Sequence, residues 1–435
     1  PLGRYRAFAR SFPSLPAAAT ARPAASPAAA ERPAAWPAAG IEPPAARPAA
    51  APATVRVWAV PELLKINPRN GALLEQDNFP DHRRQNGVWD AATATVKLTG
   101  ARNEFVAFQL AVESPQPLQG LEVRVSRPLF ADTRLPQVFG TTGAVQLYRE
   151  WFVPDDKATG ESRPWYPDAL VPLEGPFDLP SGDNPVPGQT VQPIFVDVYI
   201  PHDAKPGTHS GRLLVRAAGW EKQIELKVEV LPLRLPDKLN FTVDLNCYSG
   251  VNAGYDIKLG TPEYRRLEQA YHRVAHLHRS NLDVLGYSHS GTTVADHTPP
   301  LEGEGAQTRV RSWADWDAHF GPQLDGSAFA DLPRASVPIA AMYLPFFENW
   351  PGDFRRSYKF NNYPRAKTEE EYRDIIARHG LEADPIEQAF TQEYQERYSA
   401  VVAQFAEHLK QRGWTHSRYL VYFNNKYYYK RPSQG

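Results

Sequence analysis

The chain has 435 residues, 22% of them charged, with a formal net charge of -1, 42 prolines and one cysteine. This length exceeds one ordinary hydrophobic core and predicts two or three domains. The balanced charge gives no basic field, so neither nucleic acid nor an anionic membrane surface is expected as a partner. The lone Cys247 excludes an intrachain disulfide framework and is interpreted as a small buried residue. No apolar run approaches the roughly 20 residues of a membrane span.

Residues 1–53 are dominated by alanine, proline and arginine, with the repeat RPAA at 22–25 and again at 47–50. Proline at this density removes backbone donors and blocks helices, so we predict a disordered linker. Tethers of this kind commonly separate a folded body from an export signal, which favours an exported protein, periplasmic or extracellular. The chain begins at Pro1 and stops just after a predicted strand, and we interpret it as a piece of a longer protein.

Residues 54–236 show the period-2 alternation of strands that are packed on one face and exposed to solvent on the other. Examples are VRVWA at 55–59, FVAFQLAV at 105–112, and the runs at 121–125, 194–200, 211–217 and 224–230. Because no helical period separates these runs, we predict an antiparallel β-sandwich over 54–236. The proline-rich stretch through Trp165 and Pro167 is interpreted as a long loop.

From residue 237 onwards short apolar strands alternate with helical patterns. Strands are predicted at 241–247, 281–287, 337–344 and 419–423. One helix is expected to open at Thr261-Pro262, and a long one to run from Asp384-Pro385 to Gly413. Alternating strands and helices give parallel βα units, so 237–435 is predicted to be the N-terminal half of a (β/α) TIM-type barrel. About four of the eight units of that fold are present.

The four predicted strand ends share polar and aromatic side chains. In chain order they are Asp244, Asn246 and Tyr248; Tyr287, Ser288 and His289; Glu348, Asn349 and Trp350; and Asn424, Asn425 and Lys426. The carboxyl ends of neighbouring parallel strands meet at one edge, so these side chains are expected to line one cleft. Aromatic faces beside amides and carboxylates suit sugars, and we predict a glycan-binding cleft.

Structural roles are the alternatives for two of these strand ends. Asn424 and Asn425 are equally typical of residues that cap a turn. Glu348 has Arg355 and Arg356 close by in sequence, and an ion pair with either would be structural.

Other chemistries find little support in the sequence. His272, His276 and His278 share one predicted helix, but no carboxylate follows them at ligand spacing, so no metal site is expected there. His289 is interpreted as a rim residue. Neither a nucleophilic serine elbow nor a glycine-rich phosphate loop is present, so no nucleotide and no other cofactor is expected.

Six short motifs stand out along the chain: NEFVAFQL at 103–110, KPGTHSG at 205–211, RSNL at 279–282, YSHSG at 287–291, YLPFFENWP at 343–351 and YFNNK at 422–426. Together they resemble the bacterial proteins of glycoside hydrolase family 123 and its uncharacterised relatives. That family has an N-terminal β-sandwich followed by a TIM barrel. The likeness extends from Val55 to Lys430.

The resemblance implies a hydrolase of β-linked N-acetylgalactosamine or a related glycan that works by a substrate-assisted, retaining mechanism. The family's catalytic pair is Asp-Glu or Asn-Glu at a strand end, and the nearest match here, Asn424-Asn425, lacks the acid. We therefore expect the acidic pair beyond Gly435 and an inactive 435-residue piece, with Glu348 as the remaining candidate acid. The missing barrel half or another chain is the expected partner. The alternative class is a non-catalytic glycan-binding or cell-envelope scaffold protein.

Overall fold

The computed structural model describes residues 55–74, 81–130, 143–155, 163–248, 250–286, 295–346, 350–352 and 390–421, apart from a few positions within and between these ranges. The chain separates into two compact units, with the boundary between Leu235 and Pro236. The predicted linker, residues 1–53, lies outside the described residues. None of the helices in the described ranges is long and apolar enough to cross a membrane.

The first unit consists of two β-sheets that share one hydrophobic core. The five-stranded sheet has the order β1-β4-β9-β6-β7, and the six-stranded sheet has the order β2-β3-β11-β10-β5-β8. The strands are β1 (Arg56–Pro61), β2 (Trp89–Asp90), β3 (Thr95–Arg102), β4 (Glu104–Glu113), β5 (Leu118–Arg127), β6 (Val145–Pro154), β7 (Trp165–Pro172), β8 (Phe177–Leu179), β9 (Val191–Ile200), β10 (Gly207–Ala217) and β11 (Trp220–Arg234). Phe108 from the first sheet and Leu213 from the second belong to the same core cluster. The predicted β-rich, multidomain class is confirmed.

Alternation explains why these segments form strands. Along β11, Leu226, Val228 and Val230 are buried, whereas Lys227 and Glu229 between them face solvent. Each buried aliphatic side chain contributes roughly 1.5–3 kcal/mol relative to an exposed one, so the register that buries this face is strongly favoured.

Two features of the first unit differ from the predictions. The stretch around Trp165 is strand β7, where a loop is predicted, and Pro167 pairs with Phe152 of β6. Proline is tolerated there because, among the described strands, β7 ends its sheet and pairs with β6. In addition, β3 and β11 run parallel, so the sheets are not purely antiparallel.

The second unit contains two parallel strand pairs with helices between the strands. Strand β12 (Asp244–Tyr248) pairs with β13 (Asn281–Leu285), and β16 (Ala341–Leu344) pairs with β17 (Arg418–Val421). Two short strands, β14 (Leu301–Glu302) and β15 (Arg309–Val310), form a small hairpin. The helices are α1 (Pro262–Leu277), α2 (Ala314–Leu324) and α3 (Gln392–Gln411). Strand–helix alternation is present, but the described residues establish no closed barrel, and the TIM-type barrel stays a prediction.

Threonine caps fix where two helices begin. Thr261 caps α1 as predicted, with the Tyr264 amide donating to its hydroxyl over 3.2 Å. Helix α3 begins later than predicted, because Thr391 caps it and accepts from the Tyr394 amide over 3.4 Å. Phe390 therefore precedes α3 instead of lying within it, while the predicted start at Asp384 falls outside the described residues.

Candidate functional site

Strands β12 and β13 present different chemistry on their two faces. Leu282, Val284 and Cys247 pack with Tyr264 of α1. Side chains alternate across a strand, so the residues between them lie on the opposite face. We call that face the polar strand face and define it by Asp244, Asn246, Asn281 and Asp283. Parallel pairing sets Asp244 beside Asn281 and Asn246 beside Asp283.

Asn281 ties the polar strand face to the neighbouring strands. Its Nδ2 donates to Asp244 Oδ1 over 2.8 Å and to the Ala341 carbonyl over 2.9 Å. Its Oδ1 accepts from the Ala340 amide over 3.0 Å. One buried amide therefore links β12, β13 and β16 and orients the Asp244 carboxylate.

Asp283 is the buried acid of the polar strand face, with 1% of its surface exposed. No hydrogen bond from the described residues reaches either of its carboxyl oxygens. Burial, followed by the charge of Asp244, raises the pKa of Asp283 to about 7. Asp244 and Asn246 are exposed. The face therefore offers solvent a carboxylate and an amide, backed by an acid that keeps its proton up to near-neutral pH.

The structure describes only part of the predicted cleft. Asp244 and Asn246 are brought together on the polar strand face, and the Tyr248 backbone continues β12. The other predicted residues, Trp350 excepted, lie outside the described residues: Tyr287, Ser288, His289, Glu348, Asn349, Asn424, Asn425 and Lys426. Their placement in a glycan cleft stays a prediction, and so does the alternative ion pair of Glu348.

Trp350 makes the contacts of a core residue. It is 8% exposed. Its ring centroid lies 5.4 Å from that of Phe346 and 5.8 Å from that of Phe405 on α3. A glycan would stack on the same ring. The predicted role of Trp350 at the glycan cleft therefore stays a prediction beside its observed packing.

Sequence reasoning missed Asn281 and Asp283. The run NLDVL at 281–285 was interpreted only as a strand, yet it alternates polar and apolar residues. Period 2 inside a mostly buried strand places both polar side chains on one face, and this signal was sufficient to find them.

The helical histidines separate into different environments. His276 Nε2 lies 3.0 Å from the Val337 carbonyl, and its ring stacks on Phe329 at 4.0 Å. Burial, with help from Arg334, lowers the pKa of His276 to about 3, so the ring is neutral. His272 instead faces Glu268, with 3.8 Å between Nε2 and Oε1. The sequence analysis considers only carboxylates that follow these histidines, whereas Glu268 precedes His272 by one helical turn.

Comparisons with known proteins give coarse likenesses only. No protein-family model matches the chain, and no curated protein matches it. A family 123 glycoside hydrolase from Clostridium perfringens is similar at 10% identity and a TM-score of 0.46, covering 85% of this chain. The CooA pilin subunit of enterotoxigenic Escherichia coli (14% identity, TM-score 0.20) covers 41% of this chain and 99% of its own. A Listeria innocua beta-glucosidase (15% identity, TM-score 0.14) covers 32% and 15%.

This chain spans 58% of the length of the Clostridium perfringens hydrolase structure. At such identities and TM-scores the likeness carries no statement about activity or substrate.

Proposed function

We propose that this protein is a glycoside hydrolase-like protein that acts on β-linked N-acetylgalactosamine-type or related glycans. The observation that carries the proposal is the polar strand face, where exposed Asp244 and Asn246 pair in register with buried Asn281 and Asp283, and Asn281 donates to Asp244. The family resemblance of the sequence motifs points to the same class.

The chemistry of this face suits a sugar. A carboxylate accepts hydrogen bonds from sugar hydroxyls, and an amide both donates and accepts. Asn281 fixes the Asp244 carboxylate before a ligand arrives, which lowers the entropy lost on binding. The protonated acid of Asp283 keeps the face from carrying two adjacent negative charges, so a neutral glycan meets one carboxylate instead of two.

In the proposed mechanism the 2-acetamido oxygen of the substrate attacks the anomeric carbon while an acid protonates the leaving oxygen. A neighbouring aspartate or asparagine orients the acetamido group, and we assign this role to the polar strand face. Asp283 is too deeply buried to reach the sugar. It lies beside Asn246 and acts on the face only through its protonation, and Glu348 is the candidate acid among these 435 residues.

A second candidate is a glycan-binding protein without hydrolysis. Within the described residues, the acid with a raised pKa on this face is Asp283, and it is buried away from a ligand. A binding face needs no proton donor, so the observed geometry suffices for this role.

Binding and turnover by the 435-residue chain test both candidates. Calorimetry with N-acetylgalactosamine and assays on chromogenic β-N-acetylgalactosaminide, β-N-acetylglucosaminide and β-glucoside are run side by side. Asp244→Asn and Asn246→Ala are each expected to weaken binding about 10-fold, the loss of roughly one hydrogen bond to a charged or neutral partner. Asp315→Asn, an exposed carboxylate in the first turn of α2, is the matched control.

Turnover that the control retains supports the hydrolase. Binding without turnover supports the site, and it fits both the second candidate and a hydrolase whose acidic pair is not among these 435 residues. Wild-type affinity in both polar-face variants would overturn the assignment of the site.

A further inference from the structure

Four buried side chains converge between three elements of the second unit, and we call them the buried histidine cluster: Glu268, His272, His297 and His319. Glu268 lies on α1, His297 in the short 3-10 turn Ala295–His297, and His319 on α2. Glu268 is 0% exposed, His297 3% and His319 4%. One ligand atom from each of these three residues lies within 4.8 Å of the other two.

A carboxylate behind His319 fixes which ring nitrogen faces the cluster. His319 Nδ1 lies 3.0 Å from Asp296 Oδ2, and Nε2 points to Glu268 Oε1 at 2.8 Å. Arg265 in turn lies 3.2 Å from Asp296 Oδ2. A carboxylate on the far nitrogen is the arrangement that orients histidine ligands of metal ions.

Three buried polar atoms in the cluster lack hydrogen-bond partners among the described residues: Glu268 Oε2, His272 Nδ1 and His297 Nε2. Glu268 Oε2 and His297 Nε2 lie 3.6 Å apart. Two ligands of one tetrahedral zinc ion lie about 3.3 Å apart, from metal–ligand distances of about 2.0–2.1 Å. A cation between these atoms would therefore satisfy both, with small shifts of the side chains.

The position of the His297 ring is fixed by its surroundings. A Cβ built on Gly286, just after β13, would collide with the imidazole. The ring also packs against Phe320 at 5.3 Å. The residue after the strand must be small for His297 to point into the cluster.

A network of ion pairs without a metal is the competing explanation. It accounts for the contact of His319 with Glu268 and Asp296, because a protonated imidazole between two carboxylates is favourable. It pairs Glu268 Oε2 with His297 Nε2 only at 3.6 Å, beyond hydrogen-bond distance, and buried polar groups without hydrogen bonds are costly. A bound cation satisfies these two atoms together.

We propose that Glu268, His297 and His319 bind one divalent transition-metal ion, zinc by ligand type and geometry. Three protein ligands leave one position of a tetrahedral site, and His272, whose Nε2 lies 3.8 Å from Glu268 Oε1, is the candidate for it. On binding, His319 exchanges its Nε2 hydrogen bond to Glu268 for a bond to the metal, and the Nε2 proton leaves to solvent. The ion joins α1, the turn at 295–297 and α2. The sequence alone predicts no metal here, because the ligands come from three separate segments.

The test uses the untagged 435-residue chain, stripped of metal with a chelator and dialysed. Zinc is then titrated by calorimetry, and the bound metal is measured by elemental analysis. We expect one zinc per chain and a melting temperature that rises with zinc and falls with chelator. His319→Gln and His297→Gln should weaken zinc binding at least 100-fold. Asp296→Asn, which removes the orienting carboxylate, should weaken it about 10–100-fold.

His276→Gln is the matched control, because His276 is a buried histidine on the same helix whose ring faces Val337 and Phe329. It should keep full zinc stoichiometry. Cobalt in the wild-type chain provides a readout that needs no variant, since four-coordinate cobalt absorbs visible light far more strongly than hydrated cobalt.

A folded wild-type chain that binds no zinc and gives no four-coordinate cobalt spectrum would overturn the proposal. Zinc affinity equal to wild type in both cluster variants would do the same.

Discussion

The two units of this protein bury different kinds of side chain. The first unit gathers its interior into one large apolar cluster that includes Phe108, Leu213 and Ile224. The second unit buries ionisable groups such as Glu268, Asp283 and His319. Apolar burial stabilises without directionality, whereas buried charges cost free energy unless they are paired or bind a ligand. Buried acids also occur in the first unit, at Glu150 and Asp197, so the comparison depends on whether such groups have hydrogen-bond partners.

Buried polar groups in the two units also differ in whether they have hydrogen-bond partners. In the first unit Asn184 exchanges two hydrogen bonds with the backbone of Phe152, at 2.7 and 2.9 Å. In the described part of the second unit, both oxygens of Asp283 and one of Glu268 lack hydrogen-bond partners. Paired groups stabilise the fold, whereas unpaired ones can still bind a ligand. Gln109 and Glu150 are exceptions in the first unit, because each has one oxygen without a partner among the described residues, and Glu150 gives the strongest test.

Glu150→Gln is expected to have the largest effect. Burial raises the pKa of Glu150 from its ordinary 4.5 to about 8. Between these pH values the unfolded chain ionises while the native state keeps its proton, so the free energy of unfolding falls as pH rises. At 1.36 kcal/mol per pH unit the loss approaches about 5 kcal/mol. The variant should be more stable than wild type at pH 8 by up to that amount, and little changed near pH 4.5.

Urea denaturation at pH 5 and pH 8 measures this difference, with Glu229→Gln on the exposed face of β11 as control. Equal pH dependence in the wild type and the Glu150 variant would show that Glu150 is solvated in the first unit.

Trp350→Ala is expected to lower the free energy of unfolding by about 3–5 kcal/mol, because the ring packs on Phe346 and Phe405. Trp58→Ala in the core of the first unit is the matched variant and should cost a similar amount. Chemical denaturation measures both. If the Trp350 ring also stacks on a glycan, Trp350→Ala weakens sugar binding by about 1–3 kcal/mol as well. Unchanged stability with lost binding would contradict the packing role.

Asn281→Ala and Asn184→Ala compare one buried amide in each unit. Each variant leaves backbone or carboxylate partners unsatisfied and should cost about 1–3 kcal/mol of stability. Asn281→Ala should in addition weaken glycan binding, because Asn281 orients Asp244. Calorimetry with N-acetylgalactosamine separates the two effects. Equal affinities for the sugar in both variants would remove Asn281 from the site.

Thr391→Ala should have the smallest effect, a loss of about 1 kcal/mol from the helix cap. Thr261→Ala on α1 should lose a similar amount, since both hydroxyls accept from the amide three residues on. Thr391→Ser keeps the hydroxyl and should remain near wild type. Thermal unfolding followed by circular dichroism is sufficient. Wild-type stability of both alanine variants would show that α3 does not depend on its cap.

The β-rich first unit could be predicted because period-2 burial is a local property of the sequence. The two features of this unit that differ from the prediction, strand β7 and the parallel pair of β3 and β11, depend on residues far away in the sequence. The position of β7 at a sheet edge makes Pro167 acceptable, and the pairing of β3 with β11 joins segments more than a hundred residues apart. Neither relation leaves a local signal.

The candidate sites also differ in how far local sequence predicts them. Asp244 and Asn246 follow from their place on a strand, and Asn281 and Asp283 were available from the same alternation. The buried histidine cluster was not, because Glu268 and His319 are 51 positions apart and meet only after α1 and α2 pack. Spacing within one helix reveals Glu268 and His272 at most, and such pairs are common on ordinary helices.

Strand β7 has a further consequence for how copies of this protein meet. It ends the five-stranded sheet, and it contains Pro167 and Pro172. Proline has no amide hydrogen, so a strand from another copy cannot form a continuous ladder along this edge. Pro167 and Pro172 make β7 difficult to predict from the sequence. The same two residues disfavour edge-to-edge aggregation between copies in a crowded environment.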